Sequence, residues 1–266
     1  MRRHRSSSQW ESRALFQRMT TPPTETRKKL IDKTIEELKS FGIWYQLDVL
    51  YFFAAETQQA ALLNWIKNSH DATAVNSPTF TANQGFVSDG STSYLDLNYN
   101  PSAGPKYTLN SAMYGFYINT TAGSSNTIGE MGSRGASSTT TVNIQLAHTT
   151  SNKQTSQINS GTALSSTVGG DVTTALGFTI IQRTASNAYE SIRNGVSNYS
   201  TTTASSGIFN GNFFACAVND NGTPSFHSTR RLSIAVAGAS LSVSQHYHFN
   251  RIVEAYMDAV GAGVQN

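Results

Sequence analysis

Acidic side chains with the spacing that hydrolysis needs are hard to find in this sequence. Glycoside hydrolysis uses two carboxylates that flank one bond, about 5–5.5 Å apart in retaining enzymes. On a strand such a pair occupies alternate positions, because alternate residues face the same cleft. Glu130 and Glu190 each stand alone, and Asp96 follows Asp89 by seven residues. The sequence therefore predicts no catalytic residue and no enzyme, with a polysaccharide depolymerase acting through Glu130 or Glu190 as an alternative.

Other reactive groups are equally sparse. The one cysteine, Cys216, lies in an apolar run and is predicted to be a small buried side chain. His246 and His248 lie two residues apart in a predicted helix, so they point to different faces and cannot share a metal ion. The sequence contains no GxSxG, P-loop or dinucleotide-binding motif.

No cofactor and no metal are predicted. Hard oxygen ligands suit calcium, and Asp89, Asp96 or the pair Asp220 and Asn221 would offer such ligands at the rim of a β-sandwich. Their spacing does not require a site, so calcium is left as an alternative.

Charge is low and unevenly placed along the chain. Only 13% of the 266 residues are charged, and the chain is rich in small polar residues. Residues 1–29 contain eight Lys and Arg and two Asp and Glu, so this segment carries a net charge of +6. The remaining residues contain eleven Lys and Arg and fourteen Asp and Glu, so they carry a net charge of −3. The basic segment is typical of an electrostatic docking arm, or else of a solvated terminus.

Targeting signals are not evident in the sequence. Arg2 and Arg3 are not followed by an apolar segment, so no signal peptide is predicted. No apolar run reaches the ~20 residues that a membrane helix needs. These features predict a soluble protein made in the cytoplasm, with no membrane partner.

Two helices have clear boundaries. Thr24 is a candidate N-cap after two prolines, apolar residues recur at helical spacing to Phe41, and Gly42 is a stop signal. The second helix spans residues 240–260, with Ser242 or Ser244 as its cap. Before the first helix we predict a short helical turn at 13–19, and between the two helices a buried strand at 50–54 and a short helix at 57–65.

From residue 72 the apolar pattern alternates, which predicts many short strands and a β-sandwich. Asp89-Gly90 and Asn194-Gly195 are each expected to close a hairpin, since both pairs tolerate the positive φ of tight turns. Residues 136–141 and 154–174 are predicted loops. The candidate strands are residues 86–88, 93–97, 111–118, 127–130, 141–146, 176–183, 188–193, 196–201, 212–219 and 232–237.

Three segments resemble a family of phage and prophage structural proteins. These are residues 15–44, residues 47–100 with the run GFVSDGSTSYLDL, and residues 232–263, which match a GxxLSxxQxxxxxxxVxxYLxAVG pattern through Gly238 to Gly261. The resemblance implies a mainly β fold, a concanavalin A-like (laminin G-like) jelly-roll sandwich with an N-terminal arm and helix and a C-terminal helix. It also implies an attachment arm at 1–23, a helical connector with the first buried strand at 24–68, and the sandwich at 69–266.

The function implied by the resemblance is that of a phage virion structural protein. It would serve as a tail, baseplate or head fibre or decoration protein that presents a lectin-like sandwich to host-surface glycans. Its partners would be other virion proteins and further copies of itself, with a trimer favoured; nucleic acid is not expected. A purely structural virion component is the alternative. The residues assigned to virion attachment are Arg2, Arg3, Arg5, Trp10, Arg13 and Phe16.

Glycan-binding residues are not identified by the sequence. Aromatic faces and neutral hydrogen-bonding groups hold sugars, and five tyrosines near predicted loops are available for this. The alternative is that they pack in the sandwich as strand residues. The five are Tyr99, Tyr107, Tyr114, Tyr117 and Tyr199.

Overall fold

Two sheets pack face to face, and helices cover the outer face of one of them. The computed structural model describes residues 8–120, 129–135, 141–145, 154–161 and 174–265. Sheet A contains β1 (Leu47–Phe52), β3 (Thr79–Thr81), β4 (Gly85–Val87), β6 (Ala112–Ile118), β10 (Gly177–Ala185), β11 (Ala188–Arg193), β12 (Val196–Thr201) and β16 (Leu232–Gly238). Sheet B contains β2 (Thr73–Val75), β5 (Tyr94–Asp96), β7 (Met131–Arg134), β8 (Thr141–Gln145), β9 (Thr155–Ser160), β13 (Phe214–Ala215), β14 (Val218–Asp220) and β15 (Thr223–Ser225).

The described residues form four α-helices. They are α1 (Ser8–Phe16), α2 (Glu25–Ser40), α3 (Gln58–Ala61) and α4 (Val243–Ala259). None of these described helices is both long and apolar enough to cross a membrane. The predicted fold class, a mainly β jelly-roll sandwich with an N-terminal and a C-terminal helix, is confirmed.

The central strands of sheet A are buried on both faces, and this explains their continuous apolar sequences. One core lies between the sheets and includes Phe86, Leu95 and Phe116. A second core lies between sheet A and the helices, where Leu50 packs with Ile35 and other side chains. Every residue of β1, β6 and β16 is buried as a result.

The helix boundaries follow their sequence signals. Thr24 caps α2 by accepting a hydrogen bond from the backbone N–H of Arg27, and Gly42 adopts a positive φ of +71° just after the helix. Ser242, one of the two predicted caps, forms a capping box with Gln245 at the start of α4. The first helix starts earlier than the predicted turn at 13–19, and α3 is shorter than the predicted helix at 57–65.

The Asp89-Gly90 turn does not close a hairpin, contrary to the sequence prediction. Strand β4 pairs with β3 and β16 in sheet A, whereas β5 pairs with β2 and β13 in sheet B. The Asp89 carboxylate accepts backbone N–H bonds from Ser91, Thr92 and Ser93 at 2.8–3.0 Å. This turn therefore carries the chain from one sheet to the other, which local turn chemistry does not distinguish from a hairpin.

The Asn194-Gly195 hairpin is confirmed. Its two residues have φ values of +50° and +81°, and β11 pairs with β12 on either side of them. Positive φ at both positions is the requirement of a two-residue hairpin turn that matches the twist of its strands.

Four other predicted segments differ from the structure or lie partly outside the described residues. The predicted loop at 154–174 contains strand β9, and its residues 162–173 lie outside the described part. The predicted strand at 212–219 is divided into β13 and β14, because Cys216 between them adopts a φ of +61°. Residues 127 and 128 of the predicted strand at 127–130 lie outside the described residues, and the described strand β7 begins just after it, at Met131. The predicted loop at 136–141 likewise falls mostly outside it.

The N-terminal segment packs on the sandwich from α1 onward. Leu15 is 1% exposed within the second core. Glu11 pairs with Lys39 of α2 at 2.6 Å, and Arg18 forms an ion pair with Asp71. Strand β1 pairs with β16, so the first buried strand is a strand of sheet A.

Candidate functional site

The outer face of sheet B carries an aromatic pair. Leu95 points into the core between the sheets, so its neighbours Tyr94 and Asp96 on β5 point outward. Phe214 of β13 is paired with Asp96 in the ladder and belongs to neither core. The ring centroids of Tyr94 and Phe214 are 4.4 Å apart, so half-buried Tyr94 covers Phe214. Tyr94 is partly exposed on this face, whereas Phe214 beneath it is only 6% exposed.

Neutral and acidic oxygen groups lie beside the aromatic pair. The side-chain amide of Asn212 donates to Asp96 Oδ1 at 3.0 Å, and the backbone N–H of Asn98 donates to the same oxygen at 2.8 Å. The other oxygen, Oδ2, has a single long contact of 3.4 Å with Asn212. Asn98 donates its side-chain amide to Thr73 Oγ1 at 2.8 Å. Asp96 is therefore held in place with one oxygen still able to accept a hydroxyl group.

A histidine borders the aromatic pair on one side. The ring of His227 lies 6.4 Å from that of Tyr94, and its Nδ1 lies 3.0 Å from the carbonyl oxygen of Ser93. We call Tyr94, Asp96, Asn98, Asn212, Phe214 and His227 the sheet B platform. Burial, with a contribution from Asp96, raises the pKa of Tyr94, so its hydroxyl is a neutral hydrogen-bonding group at physiological pH.

Farther along the same face lies a structural ion pair. Arg134 donates Nε and one terminal nitrogen to the two oxygens of Asp220, at 2.8 and 2.6 Å. Its guanidinium group lies 4.5 Å from the ring centre of Phe226. The hydrogen bond from Arg134 lowers the pKa of Asp220. This carboxylate is already paired, so we assign the ion pair a supporting role at the edge of the platform.

Four of the five tyrosines considered as sugar contacts are inside the protein, as the packing alternative predicts. Tyr99, Tyr107, Tyr114 and Tyr117 are at most 2% exposed, and Tyr199 is half-buried. The hydroxyl of Tyr99 donates to Asp48 at 2.9 Å. The platform residues Tyr94 and Phe214 were missed, although the alternation of residues 93–97 contained the signal that Tyr94 faces away from the core.

The two glutamates considered for hydrolysis do not meet. Glu130 is fully buried between the sheets and forms an ion pair with Arg230. Glu190 shares a face of β11 with Ile192, which packs toward the helices, and it accepts a hydrogen bond from Gln182 at 2.8 Å. The two carboxylates thus lie on opposite sides of sheet A and cannot flank one bond.

The candidate metal and thiol residues are separated. The described residues hold no group of three or more His, Cys, Asp or Glu side chains that could bind one metal ion. Asp89 is occupied by its turn, Asp96 lies on the platform and Asp220 is paired with Arg134. Cys216 is buried as predicted, and burial raises the pKa of its thiol to about 12. His246 is buried, whereas His248 stacks on Phe41 at the surface.

Of the six residues assigned to virion attachment, the structure describes three, and these differ in exposure. Trp10, at 64% exposure, and Arg13 are exposed on α1. Phe16 is partly buried against the second core, so it contributes to the packing of α1. Arg2, Arg3 and Arg5 lie outside the described residues.

Comparisons with solved structures show the fold. One match is a Trypanosoma rangeli sialidase mutant that displays trans-sialidase activity, with a TM-score of 0.51 and 11% identity over 91% of this chain and 40% of that one. Another is the binding domain of botulinum neurotoxin serotype D, with a TM-score of 0.50 and 11% identity over 78% of this chain and 52% of that one. This chain therefore spans about half or less of these two proteins.

A further match is domain 4 of a GH43 extracellular arabinanase from Geobacillus stearothermophilus in complex with arabinotriose. It has a TM-score of 0.46 and 15% identity over 77% of this chain and 98% of that domain. No family model and no curated protein matches this sequence. The comparisons define the class of protein as a β-sandwich.

Proposed function

We propose that this protein binds a glycan through the sheet B platform. The observation that carries the proposal is the pair of Tyr94 and Phe214 on the outer face of sheet B, beside Asp96, whose Oδ2 has only a long contact of 3.4 Å with Asn212. An aromatic surface accepts the apolar face of a sugar ring, and placed polar groups fix the orientation of its hydroxyls. A sialidase solved with 2,3-difluorosialic acid shares the fold, at 10% identity and a TM-score of 0.50.

The proposal does not include hydrolysis. The platform contributes one carboxylate, that of Asp96, whereas glycoside hydrolysis in most families uses two. The carboxylates of Glu130 and Glu190 lie elsewhere. Binding is therefore the activity that this geometry supports best.

A glycan array followed by titration of the best oligosaccharide tests the proposal. We expect Tyr94→Ala to weaken binding at least about tenfold, or about 1.4 kcal/mol, because it removes the outer ring of the pair. Asp96→Asn is expected to weaken binding less, since it keeps the size of the side chain and its contact with Asn212. Tyr247→Ala is the matched control, because Tyr247 is a half-exposed tyrosine on α4, on the helical side of the molecule.

A result in which no glycan binds would contradict the proposal. So would binding that Tyr94→Ala and Asp96→Asn leave unchanged. A loss of binding in Tyr247→Ala but not in Tyr94→Ala would move the site to the helical layer.

The virion setting is the second part of the proposal. It rests on the resemblance to phage structural proteins and on the exposed Trp10 and Tyr45, which lie on the helical side, opposite the platform. In this arrangement the helical side faces other virion proteins and the platform faces the host. Homo-oligomerisation, with a trimer favoured, is part of the same proposal.

Removal of residues 1–7 tests the attachment role separately from folding. The deletion leaves α1 and every core residue in place, so the thermal stability of the protein should stay unchanged. We expect incorporation into phage particles to fall at least about tenfold, because three arginines of the basic arm are lost. Incorporation at the level of the complete protein would show that the arm is not needed.

A further inference from the structure

A cavity lies in the helical layer, away from the sheet B platform. It has a volume of about 210 Å³ and is formed where the segment between α1 and α2 meets α3 and α4. Its lining is mainly apolar and includes Met19, Pro22, Ile31, Trp65 and Tyr256. An apolar cavity of about 150 Å³ holds benzene in another protein, so this one has room for a substituted aromatic ring.

One wall of the cavity carries a buried cation. Arg27 is 8% exposed, and its guanidinium donates to the carbonyl oxygen of Ala54 at 3.0 Å, the hydroxyl of Tyr256 at 2.9 Å and Asn83 Oδ1 at 2.7 Å. All three acceptors are neutral. No carboxylate of the described residues forms an ion pair with Arg27. A buried charge without a counter-charge favours the binding of an anion beside it.

The acidic residue at the cavity is already engaged. Glu56 accepts hydrogen bonds from the backbone N–H and the hydroxyl of Thr24, at 3.1 and 2.7 Å. Thr24 is the N-cap of α2, where the positive end of the helix stabilises a carboxylate. The carboxylate of Glu56 is thus directed at the helix end and, within the described residues, forms no ion pair with Arg27.

We propose that this cavity binds a small aromatic carboxylic acid, with its ring against the apolar lining and its carboxylate on Arg27. Guanidinium and carboxylate form strong, charge-assisted hydrogen bonds, and the mainly apolar lining would contact the ring. The site is independent of the glycan platform, which lies on the other side of sheet A.

Binding of phenylacetate to the full chain tests the inference, with 2-phenylethanol as the neutral probe of similar shape. We expect phenylacetate to raise the melting temperature and to bind at least about tenfold more tightly than 2-phenylethanol, measured by calorimetric titration. Ala60→Leu should abolish binding, because Ala60 lines the cavity and the larger side chain fills it. Gln58→Leu is the control, since Gln58 is an exposed residue of the same helix.

A second measurement detects binding in the cavity without any substitution of a buried residue. The indole N–H resonance of Trp65, assigned by comparison with Trp65→Phe, should shift on addition of phenylacetate to the unaltered protein. Equal affinity for the two probes would overturn the role of Arg27. Absence of binding, or binding without a shift of the Trp65 resonance, would contradict the proposal that this cavity is the binding site. Neither result bears on the glycan platform.

Discussion

Glu130→Gln is expected to lower the free energy of unfolding by about 3–5 kcal/mol. Glu130 and Arg230 form an ion pair in which both side chains are at most 1% exposed. The glutamine keeps the size of the side chain but removes its charge, so the buried guanidinium of Arg230 loses the carboxylate of Glu130. The loss of stability comes from the loss of this charge pairing and not from a cavity.

Chemical denaturation measures this effect, and two further variants interpret it. Glu25→Gln removes the charge of an exposed ion pair with Lys28 and should change stability much less. The double variant Glu130→Gln with Arg230→Gln should be more stable than Glu130→Gln alone, since the buried charge of Arg230 is removed as well. A decrease in the free energy of unfolding of less than about 1 kcal/mol in Glu130→Gln would show that the ion pair with Glu130 contributes little to stability.

Acidification from pH 7 to pH 5 is expected to cost about 2 kcal/mol of stability through His246 alone. Its imidazole is 3% exposed on α4, and neither ring nitrogen has a hydrogen-bond partner in the described structure. Burial lowers the pKa of His246 to about 4, and nearby Glu190 opposes this shift only in part. The unfolded chain therefore binds a proton near pH 6.5, while the folded protein does so only near pH 4.

The sign of the effect follows from this difference. Between pH 6.5 and pH 4 the unfolded state binds more protons at this site, so stability rises with pH over that interval and is lost as the pH falls. His246→Leu should flatten the dependence of the unfolding free energy on pH, as measured by urea denaturation at several pH values. His248→Leu is the control, because His248 lies at the surface of the same helix. Equal slopes in wild type and His246→Leu would contradict the assignment.

Local signals predicted the elements well where a short segment determines its own conformation. Thr24 and Gly42 delimit α2, Ser242 caps α4, and Asn194-Gly195 closes the hairpin between β11 and β12. Each of these depends on residues within about one turn of chain. The Asp89-Gly90 turn used the same kind of signal, yet its two flanking strands lie in different sheets.

The candidate site was predicted much less well than the fold. The sequence pointed to several tyrosines as sugar contacts, and four of the five lie in the interior. Tyr94 and Phe214 are 120 positions apart in the chain and meet only because β5 pairs with β13. Arg27 likewise lies on a helix surface that only the packing of α3 and α4 converts into a cavity wall.

The sequence by itself determined the β-sandwich class, the capped helices, the buried Cys216 and the placement of positive charge before residue 30. These properties follow from composition, periodicity and turn chemistry, which act over short distances along the chain. Only the tertiary structure decided that the Asp89 turn crosses between sheets, that Glu130 and Glu190 lie on opposite sides of sheet A, and that Tyr94 and Phe214 form the platform. Those outcomes depend on which strands pair and which face the helices cover, and long-range burial of apolar surface sets both.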